Sequence, residues 1–201
     1  MNVRLQHTIQ FSAGVYYGKM YRVNNYTLTL WMMTNSQDPA DHEISFERIK
    51  HFVYSKMDST VFINSNETEQ CQRLIAAGLD VTTLPGDPVD QLIGIMLYYK
   101  LNAIAEGRML IAETELSSVL GGNMVYLHSD DENVNLSHYP DWWNTADLVH
   151  CDIDLMAQDK VVAMHQNAAW RDLDLNWPES DAKDAGDNTV VFADFGKNET
   201  K

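Results

Sequence analysis

The chain has 201 residues, 45% of them apolar and 21% charged, which suits one globular domain, or one domain with an appendage, and excludes a disordered or low-complexity polymer. Its 14 Lys and Arg stand against 29 Asp and Glu, a formal charge of −15 that repels phosphate backbones and excludes general nucleic-acid binding. Apolar runs such as Gly94 to Tyr99 fall far short of the ~20 residues of a bilayer helix, and the first seven residues carry no apolar export stretch. With two cysteines, Cys71 and Cys151, in no CxxC or metal-type spacing, the reading predicts a cytoplasmic protein with no membrane span, whose partners are small molecules or proteins.

Charge is distributed unevenly. Residues 129–201 hold 16 acidic and 5 basic residues, a net of −11, which leaves −4 for residues 1–128 and divides the chain into a body and an acidic C-terminal extension. In the body, Val3, Leu5, Ile9 and Phe11 alternate with Arg4, Gln6, Thr8 and Gln10, the period of a half-buried strand. His7 interrupts the apolar side and reads as a hydrogen-bonded core residue. After Ser12-Ala13-Gly14 a second strand runs from Tyr21 to Met33 and pairs with the first as a hairpin. Phe46, Ile49, Val53 and Met57 then form a helical stripe, for which Ser45 is a candidate cap. The short run Val61-Phe62-Ile63 and a brief helical stretch through Cys71, Leu74 and Ile75, closed by Gly78, follow. Pro85-Gly86-Asp87-Pro88 opens the strongest helix, with Val89, Leu92, Ile93, Met96, Leu97 and Leu101 in register and Gly107 at its end. Met109 to Thr114 and Met124 to His128 are two more strands, joined through Gly121-Gly122.

The order strand, strand, helix, helix, strand, strand predicts an α+β fold: a four-stranded antiparallel sheet with two helices, Phe46 to Met57 and Val89 to Ala105, on one face. In the extension, Asp130-Asp131-Glu132 lacks a Ca²⁺-loop frame, and His150-Cys151-Asp152 is adjacent rather than spaced for chelation. Trp142-Trp143, Val161 to Met164 and Val190 to Phe192 are its apolar pieces, and Asp172 to Asp187 reads as solvated loop.

Six segments occur in an order that resembles the 6-pyruvoyl tetrahydropterin synthase and 6-carboxytetrahydropterin synthase family: Phe11-Ser12-Ala13, Arg22 to Leu28, Phe46 to Ile49, Met57-Asp58-Ser59 through Asn64, Asp87 to Leu92, and Ala112-Glu113-Thr114. The resemblance covers residues 1 to about 128 and implies the tunnelling fold (T-fold), a homo-oligomer of sheets closed edge to edge, and a pterin- or purine-like ligand. It also implies where the chain departs from the family. The three zinc-binding His positions read Val15, Arg22 and Asn24, the catalytic Cys position reads Gly18, and the His after Asp58 reads Ser59. Val has no donor atom, Arg stays protonated and a lone Asn carbonyl is a weak zinc ligand, so no metal and no other cofactor is expected.

The family's anchoring Glu corresponds to Glu113, whose carboxylate would accept two parallel N–H donors from a pterin or guanine edge. The ligand-binding residues implied are thus Glu113, Thr114, Arg22 and Asn24, with Asp58 as the remaining catalytic candidate. Arg22, turned inward, would supply the positive charge of the missing metal beside Asp58. Three functions stay open: a pterin or purine binder without zinc chemistry, a metal-free pterin-converting enzyme using Asp58, Tyr16 or Tyr17, and an oligomeric scaffold that displays the acidic extension.

Overall fold

The computed structural model describes residues 4–34, 38–129 and 148. The apolar pieces and acidic cluster assigned to the extension, the His150-Cys151-Asp152 triplet and most of the extension itself lie outside these residues.

Two long strands, β1 (Arg4–Tyr17) and β2 (Met20–Thr34), pair antiparallel along their whole length. They turn through Gly18 and Lys19, both left-handed at φ 58° and 63°, as a two-residue type I′ hairpin requires. Gly18 thus serves the turn of the hairpin. The sequence then continues as α1 (Pro39–Phe52), a π-helical turn (Val53–Met57), β3 (Val61–Asn64), α2 (Thr68–Ala76), β4 (Val81–Leu84), α3 (Asp90–Ala105), β5 (Met109–Ser118) and β6 (Tyr126–Ser129).

The sheet has six strands in the order β4-β3-β1-β2-β5-β6, and it is mixed. The four strands expected from the sequence form its antiparallel part, β1, β2, β5 and β6. The expectation of four strands is corrected by β3 and β4, which add in parallel beside β1. Both are four residues long and almost wholly buried, so they show no alternation of apolar and polar residues.

One core lies between the sheet and the helix pair α1 and α3. Ile9, Phe11, Ala13 and Val15 of β1 and Tyr26, Leu28, Leu30 and Met32 of β2 meet Ile49 and Phe52 of α1 and Ile93, Leu97 and Leu101 of α3. The two main helices therefore share a face, as their apolar stripes require. The short α2 packs elsewhere: Cys71 and Leu74 meet Ile63 and Val81, whereas Phe62, one residue before Ile63, faces the main core. Adjacent strand residues point to opposite faces, so α2 covers the other side of the β3–β4 flank. Cys71 is disulfide-bonded, a pairing that the sequence reading did not expect. Spacing in sequence carries no information about such an approach in space. No helix among the described residues is long and apolar enough to cross a membrane.

The start of α1 also differs from expectation. Asp38 caps it, its side chain accepting from Ala40 N at 2.9 Å, and Pro39 occupies the first turn, where a missing N–H costs nothing. Ser45 is instead buried inside the helix.

Candidate functional site

The β1–β2 register places the three positions that the sequence resemblance matches to zinc ligands. Val15 faces Arg22 directly, and Asn24 follows Arg22 by two residues on the same side of β2. The three positions are neighbours, but their side chains are no metal site. Val15 is packed in the core, and Asn24 Oδ1 accepts the backbone N–H of Leu120 at 3.0 Å. Arg22 is exposed and its guanidinium lies 3.9 Å from Met20 Sδ, so the expected inward-pointing cation is corrected. At the solvated end of a hairpin a guanidinium keeps its hydration without burying a charge. Among the described residues no group of three or more His, Cys, Asp and Glu is arranged to hold a metal, and the donor set does not fit zinc.

Asp58 lies just after the π-helical turn, beside β1. Its Oδ1 accepts the backbone N–H of Ser12 at 2.9 Å, while Ser12 O accepts from Ser59 N at 2.7 Å. Ser12 Oγ in turn donates to Asn25 Oδ1 at 2.7 Å, across the β1–β2 pair. Ser59 takes a left-handed φ of 69°, a conformation that costs a non-glycine residue about 1 kcal/mol and that the two bonds to Ser12 hold in place.

A cavity of about 440 Å³ opens at this clip. Gln10, Ser12, Asn25, Thr27 and Ser117 contribute polar groups from three strands, Tyr54 and Asp58 close one side, and Val119 and Asn123 of the β5–β6 loop close the other. The size falls within the range of small-molecule sites, and the polar groups converge from separate elements.

Glu113 and Thr114 do not join this cavity. A β-bulge between Trp31 and Met32 pairs Trp31 with Glu113 and Met32 with Ile111, leaving Ala112 extra. The bulge reverses which residues of β5 face inward: Met109 and Ile111 before it, Thr114, Leu116 and Ser118 after it. Thr114 is consequently buried against the helices, and Glu113 stands half-buried on the face away from α1 and α3, opposite Trp31 and Ser129. Six residues of β2 separate Trp31 from Asn25, which places Glu113 about 20 Å from the Ser12–Asn25–Asp58 clip at ~3.3 Å per residue. On the same face Trp31 Nε1 donates to Glu115 Oε1 at 2.6 Å. Tyr16 packs toward α2 and Tyr17 is exposed, and neither lines the cavity.

One polar group was not legible in the sequence. Asp90, the first residue of α3, is 8% exposed, and its Oδ2 accepts from Ser118 Oγ at 2.6 Å. Burial raises its pKa above the ordinary carboxylate range, and the Ser118 hydrogen bond opposes that rise. Nearby Tyr26, stacked on Phe11 at 5.0 Å between ring centroids, has its phenol pushed far above the usual value, chiefly by burial, with Asn24 opposing and Asp90 adding to the shift. An Asp in a helix's first turn is common for dipole reasons, so nothing in the sequence marked this one as buried.

Neither a protein-family profile nor any curated protein sequence matches the chain. Solved structures similar to it include an uncharacterized protein of Wolinella succinogenes, 9% identical, covering 65% of this chain and 99% of that one at a TM-score of 0.47. A 6-pyruvoyltetrahydropterin synthase of Plasmodium vivax is 12% identical, with 64% and 97% covered and a TM-score of 0.42. The 6-pyruvoyl tetrahydropterin synthase of Plasmodium falciparum is 14% identical, with 64% and 96% covered and a TM-score of 0.39.

Proposed function

We propose that the protein binds a small planar heterocycle of the pterin or purine type, without zinc, in the cavity beside Asp58. The observation that carries this reading is the Asp58–Ser12–Asn25 clip. A carboxylate is held by one backbone N–H at the edge of a cavity of about 440 Å³, next to a residue kept in a left-handed conformation. An ionised carboxylate has acceptor sites beyond the one that Ser12 N–H occupies, enough for the paired N–H donors of an aminopyrimidinone edge. Gln10, Asn25 and Thr27 supply further donors and acceptors at the ring's periphery.

In this reading Glu113 contributes only through assembly. It stands farther from Asp58 than one bicyclic ring reaches, so it meets a ligand in the cavity only if a second copy brings its own Glu113 face there. A homo-oligomer is therefore part of the proposal. The test is calorimetric titration of the full chain with a pterin, with guanine and with naphthalene sulfonate as a planar control. Saturable binding of the pterin or guanine that is lost in Asp58→Ala, with no saturable binding of the naphthalene sulfonate, supports the reading. Absence of binding by every pterin and purine tried, at protein concentrations where the oligomer forms, overturns it.

A further inference from the structure

The cavity wall formed by the β5–β6 loop is built from a chain of hydrogen bonds that begins at the buried carboxylate of α3. Ser118 Oγ donates to Asp90 Oδ2 at 2.6 Å and accepts the backbone N–H of Gly121 at 3.0 Å. A hydroxyl has one proton, so the directions are fixed: the carboxylate accepts from the hydroxyl, and the hydroxyl accepts from the amide. Beside it, Asn24 Oδ1 accepts Leu120 N at 3.0 Å. The remaining loop amides bond to main-chain carbonyls: Val119 N to Asn25 O, Gly122 N to Val119 O, Asn123 N to Ser118 O and Met124 N to Gly121 O. Six successive amides are thereby paired, two of them to the side chains of the buried residues Asn24 and Ser118.

Two further observations show that the fit is close. A Cβ on Gly121 would overlap Asp90 Oδ2, so only glycine lets the main chain sit against the carboxylate. Gly122 and Asn123 follow with φ of 67° and 58° and form a type I′ turn closed by Met124 N and Gly121 O, so the anchored Gly121 sets where that turn begins. Asn123 and Val119, on either side of this anchored stretch, line the cavity, as does Ser117 at its start.

We propose that Asp90 is a positioning residue for this cavity: through Ser118 it holds the 118–123 loop against α3 and so sets where Val119 and Asn123 stand. Asp90 does not line the cavity, and it acts on a ligand only through the loop. The part of the proposal that concerns ligands rests on the reading given above; the part that concerns the loop does not.

The experiment compares Asp90→Ala, Asp90→Asn and Ser118→Ala with the native full chain. Hydrogen exchange is read at Leu120, Gly121 and Asn123 and, as an internal reference, at the amides of α3 and β2. The titration with pterin or guanine is repeated alongside. In Asp90→Ala and Ser118→Ala, exchange at Gly121 should accelerate at least tenfold while the α3 and β2 amides keep their protection, and probe affinity should fall about tenfold. Asp90→Asn, whose Oδ1 still accepts from Ser118, should restore loop protection and affinity toward native values. Unchanged exchange at Gly121 in both alanine variants overturns the proposal. So does an equal loss of protection across α3 and β2, since Asp90 would then serve overall stability alone, and Ser118→Ala decides the matter if Asp90→Ala does not fold. If the native chain binds no pterin or purine, the binding reading fails, and loop exchange still judges the role of Asp90.

Discussion

The carbonyl of Leu148 accepts the backbone N–H of Thr83 at 2.8 Å and the Thr83 hydroxyl at 3.4 Å, and its side chain packs against the main core. Thr83 belongs to β4, the outermost strand on its side of the sheet, whose four residues are nonetheless all buried. An open edge of main-chain donors is a template for another chain, and here one donor is taken by a residue from beyond the body. Leu148→Asp is expected to accelerate hydrogen exchange at Thr83 and to shift the protein toward larger species in light scattering. Native exchange at Thr83 in that variant would show that Leu148 does not guard the edge.

The long hairpin was legible because period-two alternation survives over many residues: Ile9 and Phe11 face Leu28 and Tyr26 as the pattern demands. The α3 stripe was legible for the same reason at period 3.6. The first turn of α1 was not, because Pro39 and Ala40 are exposed and the apolar stripe begins only at Phe46. β4, reading Val-Thr-Thr-Leu, carries no alternation because both its faces are covered. At the site, Asp58 was reached through the resemblance, and its placement beside Ser12 follows from the course of the chain after the π-helical turn. The Asp90–Ser118 bond joins residues 28 apart and depends on where α3 crosses β5. No local pattern reports such a crossing. The bulge that separates Glu113 from Thr114 is equally silent, since one unpaired alanine leaves no compositional trace.

Asp58 should matter to stability as well as binding. Asp58→Ala removes the acceptor of Ser12 N–H and with it one of the two restraints on the Ser59 conformation, a loss of about 1 kcal/mol for a partly solvated bond. At this chain length that corresponds to a fall in Tm of roughly 2–4 °C. Asp58→Asn, which keeps an acceptor oxygen, should recover most of the fall but not the binding of a ring that needs the anionic carboxylate. Thermal unfolding of the two variants, with and without a pterin, separates these effects. An unchanged Tm in Asp58→Ala would mean that the clip does not restrain β1.

His7 offers a pH-dependent readout. It sits half-buried on β1, edge-on to Phe46 at 5.7 Å between centroids, and burial, followed by the charge of Lys50, lowers its pKa from 6.5. The folded state therefore binds the proton less tightly than the unfolded chain does. This contribution to stability is fully present above pH 6.5 and is lost as pH falls through the lower folded value. His7→Gln should flatten the acid limb of the Tm profile below pH 6.5 and leave the profile above it unchanged in slope. A folded-state titration of His7 by NMR with a midpoint at or above 6.5 would contradict the assignment.

The positions that the resemblance matches to zinc ligands yield the most direct test of the register. Arg22 is exposed and, among the described residues, its one polar contact is the sulfur of Met20, so Arg22→Ala and Arg22→Lys should both leave Tm and ligand affinity within experimental error, about 0.5 kcal/mol. The purified protein should carry no stoichiometric zinc, because Val15, Arg22 and Asn24 offer no usable ligand set. Yet Val15 opposes Arg22 and Asn24 lies two residues on, so three imidazoles placed there would share one face within reach of a single ion. The triple variant Val15→His, Arg22→His, Asn24→His is expected to bind one zinc per chain at neutral pH and to release it as the imidazoles protonate below about pH 6. Loss of the Asn24 acceptor for Leu120 will cost the variant some stability, and added zinc should return part of it as a rise in Tm. A triple variant that folds and takes up no zinc would show that these three positions do not converge, and the β1–β2 register at the hairpin end would have to be redrawn.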